Sequence, residues 1–232
     1  MLYQNDHYTM LALQDIVQKT APCVYLEVGS LLGGSMVPYL LDPRCIEVHS
    51  VDLRPPLTPD ERGITYDYDH ATTAQMIENL KREVPDSNMQ KLRTYDMDSA
   101  AFAKKFLPSA TLSYEQNYTV RPNLVFLDAE HTNRAVFQDF LNLNELLQED
   151  AIFAFHDSNL IFDALTNIQA MLKYHLVAFH AAYLPDVVFA LAFGKLIEPL
   201  KALAAWNEGG FIEHARITLN NEIMANMAKK GK

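Results

Sequence analysis

The sequence predicts an α/β fold, a Rossmann-like doubly wound sheet of seven strands, mostly parallel, with an antiparallel hairpin at one edge. Three observations predict it. Short apolar runs alternate with segments of helical periodicity along most of the chain. The first five runs each lead into an acid, at Glu27, Asp52, Asp98, Asp128 and His156-Asp157. The last two runs are separated only by Leu184-Pro185-Asp186, which reads as a hairpin.

The elements follow in order. Residues 8–19 form the predicted leading helix, and the first strand covers 23–28. Helix 35–41 follows, stopped by Pro43, then strand 46–52 and a loop over 53–70 rich in Pro, Asp and Tyr. Thr72 or Thr73 caps a helix over 72–84 that Pro85 ends. Strand 91–95 runs into Asp96-Met97-Asp98-Ser99 and helix 100–106. Strand 123–127 ends at Asp128, and helix 134–147 follows. Strand 151–155 ends at His156-Asp157, before helix 160–175. Strands 177–183 and 187–194 make the hairpin, and 196–230 reads as a helical tail.

Composition excludes several classes. With 49% hydrophobic and 21% charged residues over 232 positions, the chain can bury one large core, and disorder is excluded. A net charge of -10 argues against a broad nucleic-acid surface. No apolar run reaches membrane-spanning length, and Met1–His7 lacks the basic-then-apolar order of a secretory leader. Cys23 and Cys45 both open apolar strands, which suits buried thiols and a cytoplasmic chain.

The turn Glu27-Val28-Gly29-Ser30-Leu31-Leu32-Gly33-Gly34-Ser35 carries the strongest chemical signal. Strand, glycine turn and helix N-terminus together make a nucleotide-binding corner, with Ser35 expected to cap the helix from about Met36. Gly29 admits backbone angles closed to side chains, and Gly33 and Gly34 are expected to let a ligand approach the main chain. No lysine follows the glycines, which excludes a P-loop. Leu31 stands where the second glycine of a dinucleotide turn belongs. Glu27 would repel phosphate and suits a cationic ligand. S-adenosylmethionine, with its ammonium and sulfonium, is one. A purely geometric turn is the alternative. One helix and one strand later, Asp52 stands where an acid bonds both ribose hydroxyls in nucleotide-binding sheets. Opening the turn Leu53-Arg54-Pro55-Pro56 would also account for it.

The remaining strand ends collect carboxylates and imidazoles at one sheet edge. Asp128, His156 and Asp157 suit a divalent ion, Mg²⁺ by the carboxylates and Mn²⁺ or a softer metal by the histidine. His131 has the chemistry of a general base. Helix capping and backbone hydrogen bonds would equally explain these residues. His180 and Tyr183, near a strand end, are further candidates to face substrate.

The segments YLEVGSLLGGS, VHSVDLRP, NLVFLDAEHT and AIFAFHDSN, in this order, resemble a class I S-adenosylmethionine-dependent methyltransferase. More narrowly they are similar to the methyltransferase 24 branch with its macrocin-type sugar O-methyltransferases, over about residues 20–195. The resemblance implies the class I methyltransferase fold in residues 1–195, with 196–232 a helical extension packed on it or at a homodimer face. It implies that Glu27, Gly29, Ser30 and Gly33 hold the methionine part, that Asp52 bonds the ribose, and that Asp98 and Ser99 lie by the adenine; Ser35 and Asp128 are also expected to bind the cofactor. Asp128, His156 and Asp157 match positions that bind a divalent ion, Mg²⁺ or Mn²⁺, in metal-dependent relatives. Asp128, His131 and His156 are then the expected catalytic groups. Two departures stand out: the family's D-G-D-H reads Asp128-Ala129-Glu130-His131, and His156 replaces a carboxylate.

The expected activity is methyl transfer to oxygen of a small-molecule acceptor, a sugar or phenol. No nucleic-acid or membrane partner is expected. The acceptor pocket is expected to include Tyr66, Asp67, Tyr68, Asp69 and His70. Two other readings are a nicotinamide-dependent oxidoreductase and a non-catalytic cofactor-binding protein. Leu31 and Glu27 weigh against the first, and a dimer face in the tail would serve the second.

Overall fold

Cys23–Val28 is buried at every position and forms the first strand, β1. A strand buried on both faces belongs in the middle of a covered sheet, and β1 sits there. The computed structural model of the protein describes residues 4–54, 59–65, 71–107, 120–185 and 187–204. Helix α1 (Gln4–Gln18) precedes β1. A 3-10 turn (Gly34–Met36) and α2 (Val37–Leu41) follow it and lead to β2 (Cys45–Val51). Next come α3 (Thr73–Glu83), a short α4 (Asp86–Met89) absent from the sequence reading, β3 (Leu92–Tyr95) and α5 (Ser99–Phe106). Strand β4 (Leu124–Leu127), α6 (Asn133–Leu143), β5 (Ile152–Phe155) and α7 (Phe162–Tyr174) continue the alternation. Strands β6 (Phe179–Leu184) and β7 (Val188–Phe193) precede α8 (Ile197–Ala204).

The seven strands form one sheet in the order β3-β2-β1-β4-β5-β7-β6. Strands β1 to β5 pair in parallel, and β7 runs antiparallel to both β5 and β6. Alternation along the strands divides the core. Tyr25, Val48, Phe126 and Ala154 pack on one face with α1, α2, α3 and α8, through Leu13, Tyr39, Leu80 and Leu200. Leu26, Val51, Val125 and Phe153 pack on the other with α5, α6 and α7, through Phe102, Phe140 and Ile168. The expected fold class is therefore present. Cys23 and Cys45 are buried free thiols facing each other across β1 and β2. No helix among the described residues is long and apolar enough to cross a membrane.

The chain leaves β1 for β2 and β3, then returns to β4 on the other side. The order reverses between β1 and β4, and ligands of such sheets bind outside the strand ends at that point. Two expectations about helix ends need correction. Ser35 caps nothing: it lies inside the 3-10 turn, and α2 starts at Val37 without a side-chain cap. Of the expected tail, α8 is described and adds Leu200 and Ala204 to the core. The tail's remainder and Tyr66–His70 lie outside the described residues.

Candidate active site

The turn after β1 is built on Gly29, whose φ of 92° only glycine adopts freely. A Cβ there would overlap the Asp128 carbonyl oxygen. The glycine turn and the end of β4 thus touch through main chain, and two groups of site residues share one wall. Gly33 is also left-handed, at φ 84°, but the atoms crowding it are Met76 Cγ and Leu80 of α3. Packing, not ligand approach, accounts for that glycine. Gly34 faces open space.

Glu27 is 1% exposed. The Tyr25 hydroxyl donates to Oε2 at 2.7 Å and Ser35 Oγ donates to Oε1 at 2.5 Å. Burial pushes its pKa up to about 8. These two bonds oppose the rise, and the charges of Asp128 and Asp52 add to it. The carboxyl expected to meet a cation directly is thus turned inward, where burial favours its neutral form. Ser30 Oγ lies 2.7 Å from Ser50 Oγ of β2, also buried.

Asp52 follows β2, and its two oxygens accept from the main-chain amides of Leu31 (2.9 Å) and Arg54 (2.9 Å). The carboxylate is oriented before any ligand arrives, with lone pairs left for two hydroxyls. Asp98 caps α5 by accepting from the Ala101 amide at 2.7 Å. Ser99 Oγ donates to Asp139 at 2.5 Å and accepts from Asn142 at 2.8 Å. Burial raises the Asp139 pKa to about 6.

At the ends of β4 and β5 the predicted polar residues converge. His131 lies between two carboxylates: Nε2 is 3.2 Å from Asp128 Oδ1 and Nδ1 is 2.8 Å from Asp157 Oδ2. His156 Nδ1 is 2.9 Å from Asp128 Oδ1 and 3.8 Å from Asp157 Oδ1. Burial alone would lower the His131 pKa, but hydrogen bonds to Asp128 and Asp157 and their charges outweigh it and raise it to about 9. Burial likewise opposes ionisation of Asp128, yet the charge of His156 and the bonds from both histidines hold it well below the usual carboxylate range. At neutral pH His131 is an imidazolium held between the Asp128 and Asp157 carboxylates. Donor atoms of Asp128, His131 and His156 lie within 4.8 Å of one another, a spacing that fits one divalent ion. This set differs from the one expected: His131 joins it, and Asp157 instead braces His131 from a left-handed φ of 48°. Tyr183 stacks on Phe162, with ring centres 6.4 Å apart, and His180, three residues earlier on β6, belongs to the opposite face of the sheet.

Two residues missed in the sequence complete the site. The Glu61 amide donates to the His131 carbonyl at 3.2 Å, and its Oε1 accepts from the Asn133 amide at 2.5 Å, the first of α6. Asn133 Oδ1 in turn accepts from the Ala164 amide of α7 at 2.8 Å. Arg54 folds back over Asp52 and the glycine turn. The turn that presents Glu61 was legible: Asp60 and Gly63 bracket it, with Asp60 Oδ1 accepting from the Arg62 amide at 2.8 Å. Its docking partner was not.

Residues 26–158 match a methyltransferase-domain family, methyltransferase 24. The chain belongs to that family. It is an S-adenosylmethionine-dependent methyltransferase. A search of curated protein sequences finds no match. Among solved structures, the calicheamicin methyltransferase CalS11 superposes with a TM-score of 0.59 at 16% identity, over 82% of this chain and 79% of that one. The O-methyltransferase NovP gives 0.56 at 12%, over 82% and 80%. A methyltransferase from Geobacter sulfurreducens gives 0.52 at 15%, over 83% and 79%. At these identities the neighbours show the fold. They share the seven-stranded sheet of this methyltransferase, and the family match over residues 26–158 decides for methyl transfer over the nicotinamide reading.

Proposed function

We propose that this methyltransferase moves the methyl group of S-adenosylmethionine to a hydroxyl oxygen of a small molecule. One observation carries the reading: the Asp128–His131–His156–Asp157 cluster shares a wall with the donor turn at Gly29. A hydroxyl held beside that cluster stands next to groups able to take its proton, and holding donor and acceptor in line supplies a large part of the rate. Two structural neighbours support oxygen as the acceptor, since CalS11 is a TDP-rhamnose 3'-O-methyltransferase and NovP an O-methyltransferase. The net charge of -10 favours a small acceptor over a nucleic acid. Buried oxygens of Ser158 and Asn159, without hydrogen-bond partners among the described residues, offer polar groups beside the cluster.

Asp128 and Asp157 hold the His131 ring between them, and their charge keeps its proton on up to about pH 9. His131 takes the acceptor's proton only after losing its own, so its role as base strengthens as pH rises. Asp128, His131 and His156 fit Mn²⁺ or Mg²⁺, which would bind the acceptor oxygen and lower its pKa. With such an ion bound, His131 would serve as a ligand in place of a base, and holding the ion would require its ring to be unprotonated.

The test is transfer of labelled methyl to a panel of sugars, nucleotide sugars and phenols, with and without EDTA. We expect an O-methyl product, a rate rising from pH 6 to 9, and loss of about 10²–10⁴-fold in His131→Asn. Mn²⁺ should restore a rate lost to EDTA. Methyl on nitrogen, or a flat pH profile unchanged by His131→Asn, would count against the reading.

A further inference from the structure

Arg54 lies two residues beyond the ribose acid, with a left-handed φ of 49° and a side chain 10% exposed. A long cationic side chain is seldom buried without several partners. Its partners come from three elements. Nη1 donates to the Leu31 carbonyl at 2.5 Å, Nε donates to Thr73 Oγ1 at 2.8 Å, and Nη2 reaches Met76 Sδ at 3.3 Å. Nη1 is also 3.6 Å from Asp52 Oδ2.

Leu31 is the centre of this arrangement. Its own φ is 45°, an unfavourable value for a leucine. Its amide donates to Asp52 Oδ2, and its carbonyl accepts from Arg54. The residue that replaces a glycine in this turn is thus held from both sides by one acid and one guanidinium. Arg54 spends its main-chain amide on Asp52 Oδ1 as well, at 2.9 Å. Both carboxylate oxygens are therefore set by the Leu31 and Arg54 backbones, and the Arg54 guanidinium holds the Leu31 carbonyl.

We propose that Arg54 is a positioning residue for the methyl donor, acting through Asp52 and the Leu31 peptide to keep the ribose end of the pocket formed in the free protein. The proposal rests on the donor reading of the glycine turn. Without the guanidinium, Leu31 relaxes from its left-handed angle, and Asp52 loses both its amide donor there and the adjacent positive charge. A carboxylate free to rotate must then be ordered by the ligand, and affinity falls by that cost.

Calorimetry with S-adenosylhomocysteine tests this without any acceptor. Arg54→Met should weaken binding roughly 10–100-fold. Arg54→Lys keeps charge but not the forked geometry and should recover only part. A structural defect elsewhere would also weaken binding, so a double-mutant cycle separates the two. On an Asp52→Asn background, Arg54→Met should cost little more, because the group it positions is already impaired. Additive losses would overturn the proposal, as would wild-type affinity in Arg54→Met. If Arg54→Met fails to fold by circular dichroism, the same cycle is run with Arg54→Lys and read the same way. Wild-type protein that binds no S-adenosylhomocysteine would remove the donor reading, and the proposal with it.

Discussion

Glu27 shows how one buried group sets the behaviour of the glycine turn. Its carboxyl is neutral in the folded protein up to about pH 8 and ionised in the unfolded chain above about pH 4.5. The folded state therefore holds a proton that the unfolded state has released across this window. Stability from this group is full below about pH 4.5 and is lost as pH rises through 8, by at most ~1.4 kcal/mol per pH unit. Glu27→Gln keeps a hydrogen-bonding side chain and cannot ionise. Urea denaturation from pH 5 to 8.5 should show wild-type stability falling relative to the variant. Parallel curves would show that Glu27 stays ionised. The two glycines of the turn make a second contrast. Gly29→Ala combines a left-handed angle with overlap on the Asp128 carbonyl and should cost about 2–5 kcal/mol in thermal unfolding. Gly34→Ala meets nothing within 4 Å and should change stability by less than ~0.5 kcal/mol, while weakening S-adenosylhomocysteine binding where the methyl enters the donor space.

Among the elements, the loop carrying Glu61 does the most unexpected work. Its carboxylate caps α6 at Asn133 while Thr132 takes the Ala135 amide, so two side chains divide the exposed amides of one helix end. Glu61→Ala should destabilise the protein by about 0.5–2 kcal/mol, and Glu61→Gln should recover most of that because its amide oxygen still accepts. Equal losses in both variants, measured by chemical denaturation, would place the effect in charge rather than capping. The contrast between Glu61 and Thr132 also shows what the sequence reveals. Thr72, Asp98 and Thr132 cap helices within their own segments, and each helix start is legible from a few adjacent residues. The strands were legible for the same reason, since apolar runs and the acids after them are local. Asp52, Asp128, His131, His156 and Asp157 could be placed at one edge because a parallel sheet puts all its strand ends there. Glu61 and Arg54 could not, because their meaning lies in partners distant in the chain. Ser35 was misread as a cap because a residue of that type after glycines suits one, while its real partner, Glu27, lies across the turn. That His131 and not Asp157 groups with the donor atoms of Asp128 and His156 is a matter of distances that only the folded chain supplies.

For the molecule as a whole, the sheet order has a consequence during synthesis. Strand β7 sits between β5 and β6, although β6 leaves the ribosome first. Until Val188–Phe193 emerges, β6 has no strand to join, and β5 presents Ile-Phe-Ala-Phe as an open apolar edge. At translation speeds of about 5–20 residues per second, that edge stays open for roughly 2–8 s. A chain ended after Tyr183 should therefore partition into the insoluble fraction, because the edge never closes and Phe189 and Leu191 never reach the core. Recovery of that truncated chain as a soluble monomer by light scattering would show that β7 is dispensable. With β7 present, the nascent protein passes through a stage in which its donor turn and β4 cluster are already encoded and extruded while its most aggregation-prone strand still lacks a neighbour. Growth temperature and chaperone supply should accordingly govern the yield of this enzyme more than they govern the activity of the molecules that fold.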